Sequence, residues 1–281
     1  MSIPLRYYNL VLFVLHLVLA GSFTLYFSRL NEKNKNTTAR GVELSIREHQ
    51  LEITKNEEVV ENKWSSANVA NPTEKSVQNM VIAFFAITAF FHLYYYLTDR
   101  GQYASMINSG NNYIRWVEYS ITSTLMLLII ALSSGVKDRN VYALLIVSNV
   151  AMIAQGQLVE DAIRKGENWI IPMTCGFALL VAEFGVIINC FFARVKEVDK
   201  FLKENTGYSE FNGIPKWLYA MIFVLFAFFS SFGFISLWGS YSGAKYEKVE
   251  RLYLIFSLVA KATLGAFVGY GLAQRGQERE E

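Results

Sequence analysis

The sequence predicts an all-α membrane protein, a seven-transmembrane-helix bundle with a β-hairpin in the loop between the first two helices. Three observations lead there. The 281 residues are 53% hydrophobic and 15% aromatic, with a mean hydropathy of +0.25, too apolar throughout for an ordinary soluble domain. Seven apolar runs approach the ~20 residues that a helix needs to cross a bilayer. Almost all charge falls between those runs.

The runs are residues 7–27, 77–97, 113–133, 141–159, 169–192, 217–238 and 252–270. The first ends near Ala20-Gly21-Ser22 after Arg6, as a secretory signal does. Its apolar stretch continues through Phe27, longer than the ~7–15 residues of a signal core, so it reads as a retained helix. The segment between the first two runs, residues 29–76, is polar and charged. In it, residues 42–46 and 51–54 alternate polar and apolar about residues 47–50, which reads as a hairpin. Asn36-Thr37-Thr38 is a glycosylation sequon, a weak sign that this loop is external. The other connections are short, so residues 1–281 read as one seven-helix domain.

Net charge is +2, which gives no support to a nucleic-acid partner. Cys175 and Cys190 lie fifteen residues apart on one apolar run, roughly 22 Å along a helix, too far to form a disulfide with each other. Lys and Arg are divided between the two sets of short loops with too little asymmetry to orient the chain by the positive-inside rule.

Four charges stand inside the runs, Arg115, Glu118, Glu183 and Lys261. Lys261 is the only charged residue of 252–271, some ten residues from either end. A charge at such depth costs at least ~2.5–3.5 kcal/mol and marks a functional residue by default. A buried lysine amine either balances an anion or condenses with a carbonyl to form a Schiff base. Glu118, in the third run, supplies the anion. A buried carboxylate needs a cationic partner or a proton. Arg115 shares its helix face, Thr122 follows at i+4, and Ser120 and Ser123 add hydroxyls. Ser257 precedes Lys261 by one turn. On residue types alone, a purely structural Glu118–Lys261 or Arg115–Glu118 pair stays open.

Arg115-Trp116-Val117-Glu118-Tyr119-Ser120 in the third run and Ser257-Leu258-Val259-Ala260-Lys261 in the seventh resemble heliorhodopsins, a family of retinal-binding rhodopsins. His16 in the first run, Phe91-His92 in the second and Glu160 after the fourth also fall where that family carries histidines and an internal carboxylate. The resemblance covers all seven runs and the long first loop. It implies all-trans retinal on Lys261 as a protonated Schiff base, Glu118 as the counterion, and a slow photocycle. It implies a homodimeric photoreceptor and not an enzyme, with the N-terminus cytoplasmic and the long loop outside. Where other microbial rhodopsins place an aspartate four residues before the lysine, this chain has Ser257.

Ser257, Thr122, Ser123 and Phe229 are the further candidates to contact retinal, Phe229 being one of five phenylalanines (226, 228, 229, 232 and 234) in the sixth run. His16, His92, Arg115, Glu160 and Glu183 are candidates for a polar cluster or for taking up a proton. For the histidines, a structural role bonded to water is the other reading. Glu183 departs from the resemblance, because it puts a carboxyl in an apolar stretch at the ring end of the expected pocket. It is either a protonated packing residue or part of a proton path.

Two other functions remain open at this level: a light-driven proton transporter or channel using Glu183 and Glu160, and a retinal-free transporter built on Glu118 and Lys261. No metal-ligating or catalytic motif stands out, and the sequence names no signalling partner. Any signal is expected to pass through the helices or the short tail 275–281.

Overall fold

All four prolines stand at or just before a helix start, where a missing N–H costs no hydrogen bond. Pro4 precedes α1 (Leu5–Asn34), Pro72 precedes α2 (Glu74–Leu97), Pro172 lies in the first turn of α6 (Ile170–Thr206), and Pro215 precedes α7 (Lys216–Ser242). Between them lie α3 (Gln102–Ser109), α4 (Tyr113–Ser133) and α5 (Arg139–Lys165), and the chain closes with α8 (Tyr246–Gln277). The computed structural model describes residues 4–34, 46–56, 59–70, 72–206 and 216–277.

Side chains cap the helices that the site depends on. Thr73 accepts from Ser76 N at the start of α2, Asp138 accepts from Asn140 N and Val141 N at α5, and Asn112 accepts from Arg115 N at α4. Gly166, at φ +70°, takes the left-handed conformation that ends α5.

Among the described residues, seven helices, all but α3, are long and apolar enough to cross a membrane. Each packs on its neighbours in the order α1, α2, α4, α5, α6, α7, α8, and α8 returns to pack on α1 and α2. The ring is therefore closed, and the spans of α4 and α8 are its most buried. Its larger core runs from Phe27 and Phe84 through Ile130 to Phe184 and Leu264. A second cluster joins Trp116, Tyr119, Ile153, Ile235 and Tyr253.

The first loop differs from expectation. Val42–Ser45 fall outside the described residues, and Arg47–Gln50, read as the turn of a hairpin, lie within a strand. That strand, β1 (Ile46–Asn56), pairs antiparallel with β2 (Val59–Ala70), with Arg47 opposite Asn68 and Gln50 opposite Ser65. A hairpin of residues 42–46 against 51–54 is thus not supported. The physical reason is that Arg-Glu-His-Gln contains no Gly, Pro, Asn or Asp to turn the chain. The loop is also shorter than residues 29–76, because α1 continues to Asn34 and α2 begins at Glu74. Hydropathy marks where a span leaves the apolar layer, whereas a helix ends where its capping ends. The eight-residue α3 was not foreseen either.

Candidate functional site

Lys261 lies in the sixteenth position of α8, 2% exposed. Its Nζ donates a 2.6 Å hydrogen bond to Ser257 Oγ, one turn earlier, and stands 3.5 Å from Glu118 Oε1 on α4. Glu118, 1% exposed, also accepts a 2.8 Å bond from Thr88 Oγ1 on α2. Amine, carboxylate and both hydroxyls are therefore held by three helices in a place without water-exposed surface. The Tyr119 ring lies 5.4 Å from Nζ on another side.

The amine opens onto a mainly apolar cavity walled by Trp116, Tyr119, Met126, Ile153, Phe229 and Phe232. Thr122 and Ser123 add hydroxyls to its lining. Ser123 Oγ bonds Tyr119 O at 2.6 Å and receives Asn149 Nδ2 at 2.8 Å, whereas Thr122 Oγ1 is buried with no protein partner. A second hollow of similar size continues past Trp116, Phe229 and Phe232 towards Phe177, Leu180 and Gly233. Gly156 and Gly233 keep this region open in one sense only. A Cβ at Gly156 would overlap the Trp116 ring, and one at Gly233 would overlap Phe177. Of the other phenylalanines of α7, Phe234 is exposed and Phe226 packs on Phe184.

The candidate polar residues divide into three groups. His16 and His92 face each other with ring centroids 5.0 Å apart, both buried. His16 Nδ1 is 2.8 Å from Leu12 O, an acceptor only, so the proton sits on that nitrogen. His92 Nδ1 contacts Asn9 Oδ1 at 2.9 Å. Arg115 belongs to a different cluster, bonding Glu160 of α5 and Glu250 of α8. Glu183 is apart from both, buried on α6 and facing Ser148 of α5.

Three members of these clusters escaped the sequence reading. Thr88 carries no signal beyond being a hydroxyl in a span. Asn9 is likewise an isolated polar residue. Glu250 falls just before the seventh run and was passed over, but it lies seven residues before Ser257 and eleven before Lys261, spacings that share one helix face. That periodicity was the available clue.

The heliorhodopsin family's sequence model matches residues 5–272, nearly the whole chain. The chain belongs to the heliorhodopsin family. No curated protein sequence matches it. A crystal structure of thermophilic rhodopsin is similar in fold, with a TM-score of 0.53 at 13% identity, covering 97% of this chain and 96% of that one. The chain is an integral, multi-pass membrane protein, and family membership implies a retinal chromophore. The apolar, aromatic-walled cavity with one primary amine at its edge fits such a group.

Proposed function

We propose that this chain is a light-absorbing photoreceptor that holds all-trans retinal covalently on Lys261, with a protonated Schiff base and a slow photocycle. The observation that carries the reading is a buried amine beside a carboxylate at the edge of an apolar cavity. When bound, retinal supplies a polyene that isomerises in visible light and an aldehyde that condenses with a primary amine, releasing water.

The chain's residues supply the rest. Lys261 gives the nitrogen, and Ser257 fixes its direction by a hydrogen bond from Nζ. Glu118 offsets the positive charge there, and the Thr88 hydroxyl holds the carboxylate in place. Trp116, Phe229 and Phe232 wall the slot, and Thr122 brings an uncommitted hydroxyl to it. His16 and His92, buried against each other, are the candidate bases to receive its proton. The N-terminus is cytoplasmic, the first loop is outside, and the molecule is a homodimer; all three rest on the family.

Buried Glu183 favours a second reading, a light-driven proton transporter or channel. Expression with all-trans retinal, followed by borohydride reduction and peptide mass analysis, tests the first proposal. A visible band with the adduct on Lys261 is the expected result. A protein with no visible band and no adduct would leave the retinal-free transporter. Voltage clamp under illumination separates a sensor from a transporter.

A further inference from the structure

We propose that Trp116 is a positioning residue that couples the cavity beside Lys261 to the ion-pair clamp of Arg115, Glu160 and Glu250, delivering a change of cavity shape to the ends of α5 and α8. The inference rests on reading that cavity as the retinal site.

Trp116 has two faces of contact that no other residue of the cavity combines. Its ring forms part of the wall beside Lys261. Its Nε1–H donates a 2.9 Å hydrogen bond to Glu160 Oε2. The same oxygen accepts from Tyr246 Oη at 3.0 Å, and the other oxygen of Glu160 accepts from Arg115. Arg115 reaches on to Glu250, whose Oε1 also accepts from Asn112 Nδ2 at 2.7 Å. One indole N–H thus joins the cavity wall to a clamp that ties α4, α5 and α8 together near one end of the bundle.

Away from the two hollows it borders, the ring is closely held. Gly156, one turn before Glu160 on α5, lies so close to the ring that a methyl group would overlap it. Tyr253 and Tyr119 close two further edges, with ring centroids 5.8 Å and 6.2 Å away. The guanidinium of Arg115 lies 4.8 Å from the ring centroid. A displacement that starts in the cavity therefore reaches the N–H bond. A lengthening of about half an ångström takes a 2.9 Å contact outside the ~2.7–3.2 Å range of N–H···O bonds. Glu160 then loses one of its donors while Arg115 keeps it anchored, and the load falls on Glu250 and α8, the helix that carries Lys261.

The test uses the full chain with retinal in lipid. Light-minus-dark infrared spectra and resonance Raman spectra of indole-15N protein read the tryptophan N–H and the Glu160 carboxylate. One of the five tryptophans is expected to change its hydrogen bonding on illumination. Its dark frequency should move in Glu160→Gln, which assigns it. Trp116→Phe keeps an aromatic wall but has no N–H. Whatever its band position, its light-induced Glu160 carboxylate change should fall several-fold for the same amount of isomerised retinal. A wild-type indole signal that is the same in light and dark overturns the proposal, as does a full-sized carboxylate change in Trp116→Phe. Should Trp116→Phe fail to form pigment, the wild-type indole spectrum decides alone. A wild-type protein without any pigment refutes the retinal reading instead.

Discussion

Thr88 Oγ1 donates a 2.8 Å hydrogen bond to Glu118 Oε1, the same oxygen that stands 3.5 Å from Lys261 Nζ. The carboxylate is thereby fixed by α2 and aimed at α8 from α4. A hydrogen bond to a charged group contributes ~1.5–3 kcal/mol, and in this buried place the hydroxyl substitutes for the water the carboxylate has lost. The arrangement holds a negative charge at a set distance from the amine, as a counterion requires.

Glu118→Gln removes that charge. The cationic form of the linkage loses its nearby anion, so the visible band is expected to convert to a near-ultraviolet band at a lower pH than in wild type. The remaining protonated pigment should absorb to the red, because nothing then localises the positive charge. Spectral titration from pH 4 to 10 checks both, and unchanged absorption with an unchanged titration would exclude Glu118 as the counterion.

Lys261→Ala and Lys261→Arg should both lack a covalent pigment, since neither provides a primary amine. The measurement is retinal retention after denaturation and reduction. A normal band in either variant, with a stable adduct elsewhere, would move the attachment site.

Glu250→Ala leaves Arg115 with one carboxylate partner where it has two. Removing a partner from a buried ion pair costs ~3–5 kcal/mol. The variant is expected to bleach at a clearly lower temperature than wild type, with its band position little changed, because Glu250 does not line the cavity. Thermal bleaching followed at the visible maximum is the check. An unaltered bleaching temperature would show that the clamp contributes nothing to stability.

The seven spans were legible because an apolar layer demands apolar residues of a fixed length, and that demand is local to each run. Lys261 and Glu118 were legible for the converse reason, being charges where the layer excludes them. What was not legible depends on distance across the bundle. Arg115 shares a helix face with Glu118, yet its guanidinium turns to Glu160 and Glu250, and only the packing of α5 and α8 decides that. Thr88 acquires a role solely because α2 lies against α4. The strand pairing of the first loop was misread because alternation over five residues fixes a strand without fixing its partner.

An epitope at the N-terminus should be reached by antibody only from the cytoplasmic side, and protease should cut the loop after α1 only from outside. Cleavage of that loop from the cytoplasmic side alone would reverse the orientation that the family implies.

Glu183→Gln addresses the transport reading. Glu183 is buried on α6 against Ser148 of α5, and it takes no part in the cluster around Lys261. The substitution should therefore keep the colour and the first steps after light absorption. Asn149 of α5, one residue beyond Ser148, reaches Ser123 and Thr124 of α4 at 2.8 Å each, whereas both carboxyl oxygens of Glu183 lack a protein partner, so a line from Glu183 to the cavity lining needs an intervening water. If Glu183 exchanges protons along that line, the variant loses a light-driven current that wild type carries. Voltage clamp of both proteins over a range of potentials decides the matter. A wild-type protein that passes no photocurrent at any potential would end the transport reading and leave Glu183 as a packing residue.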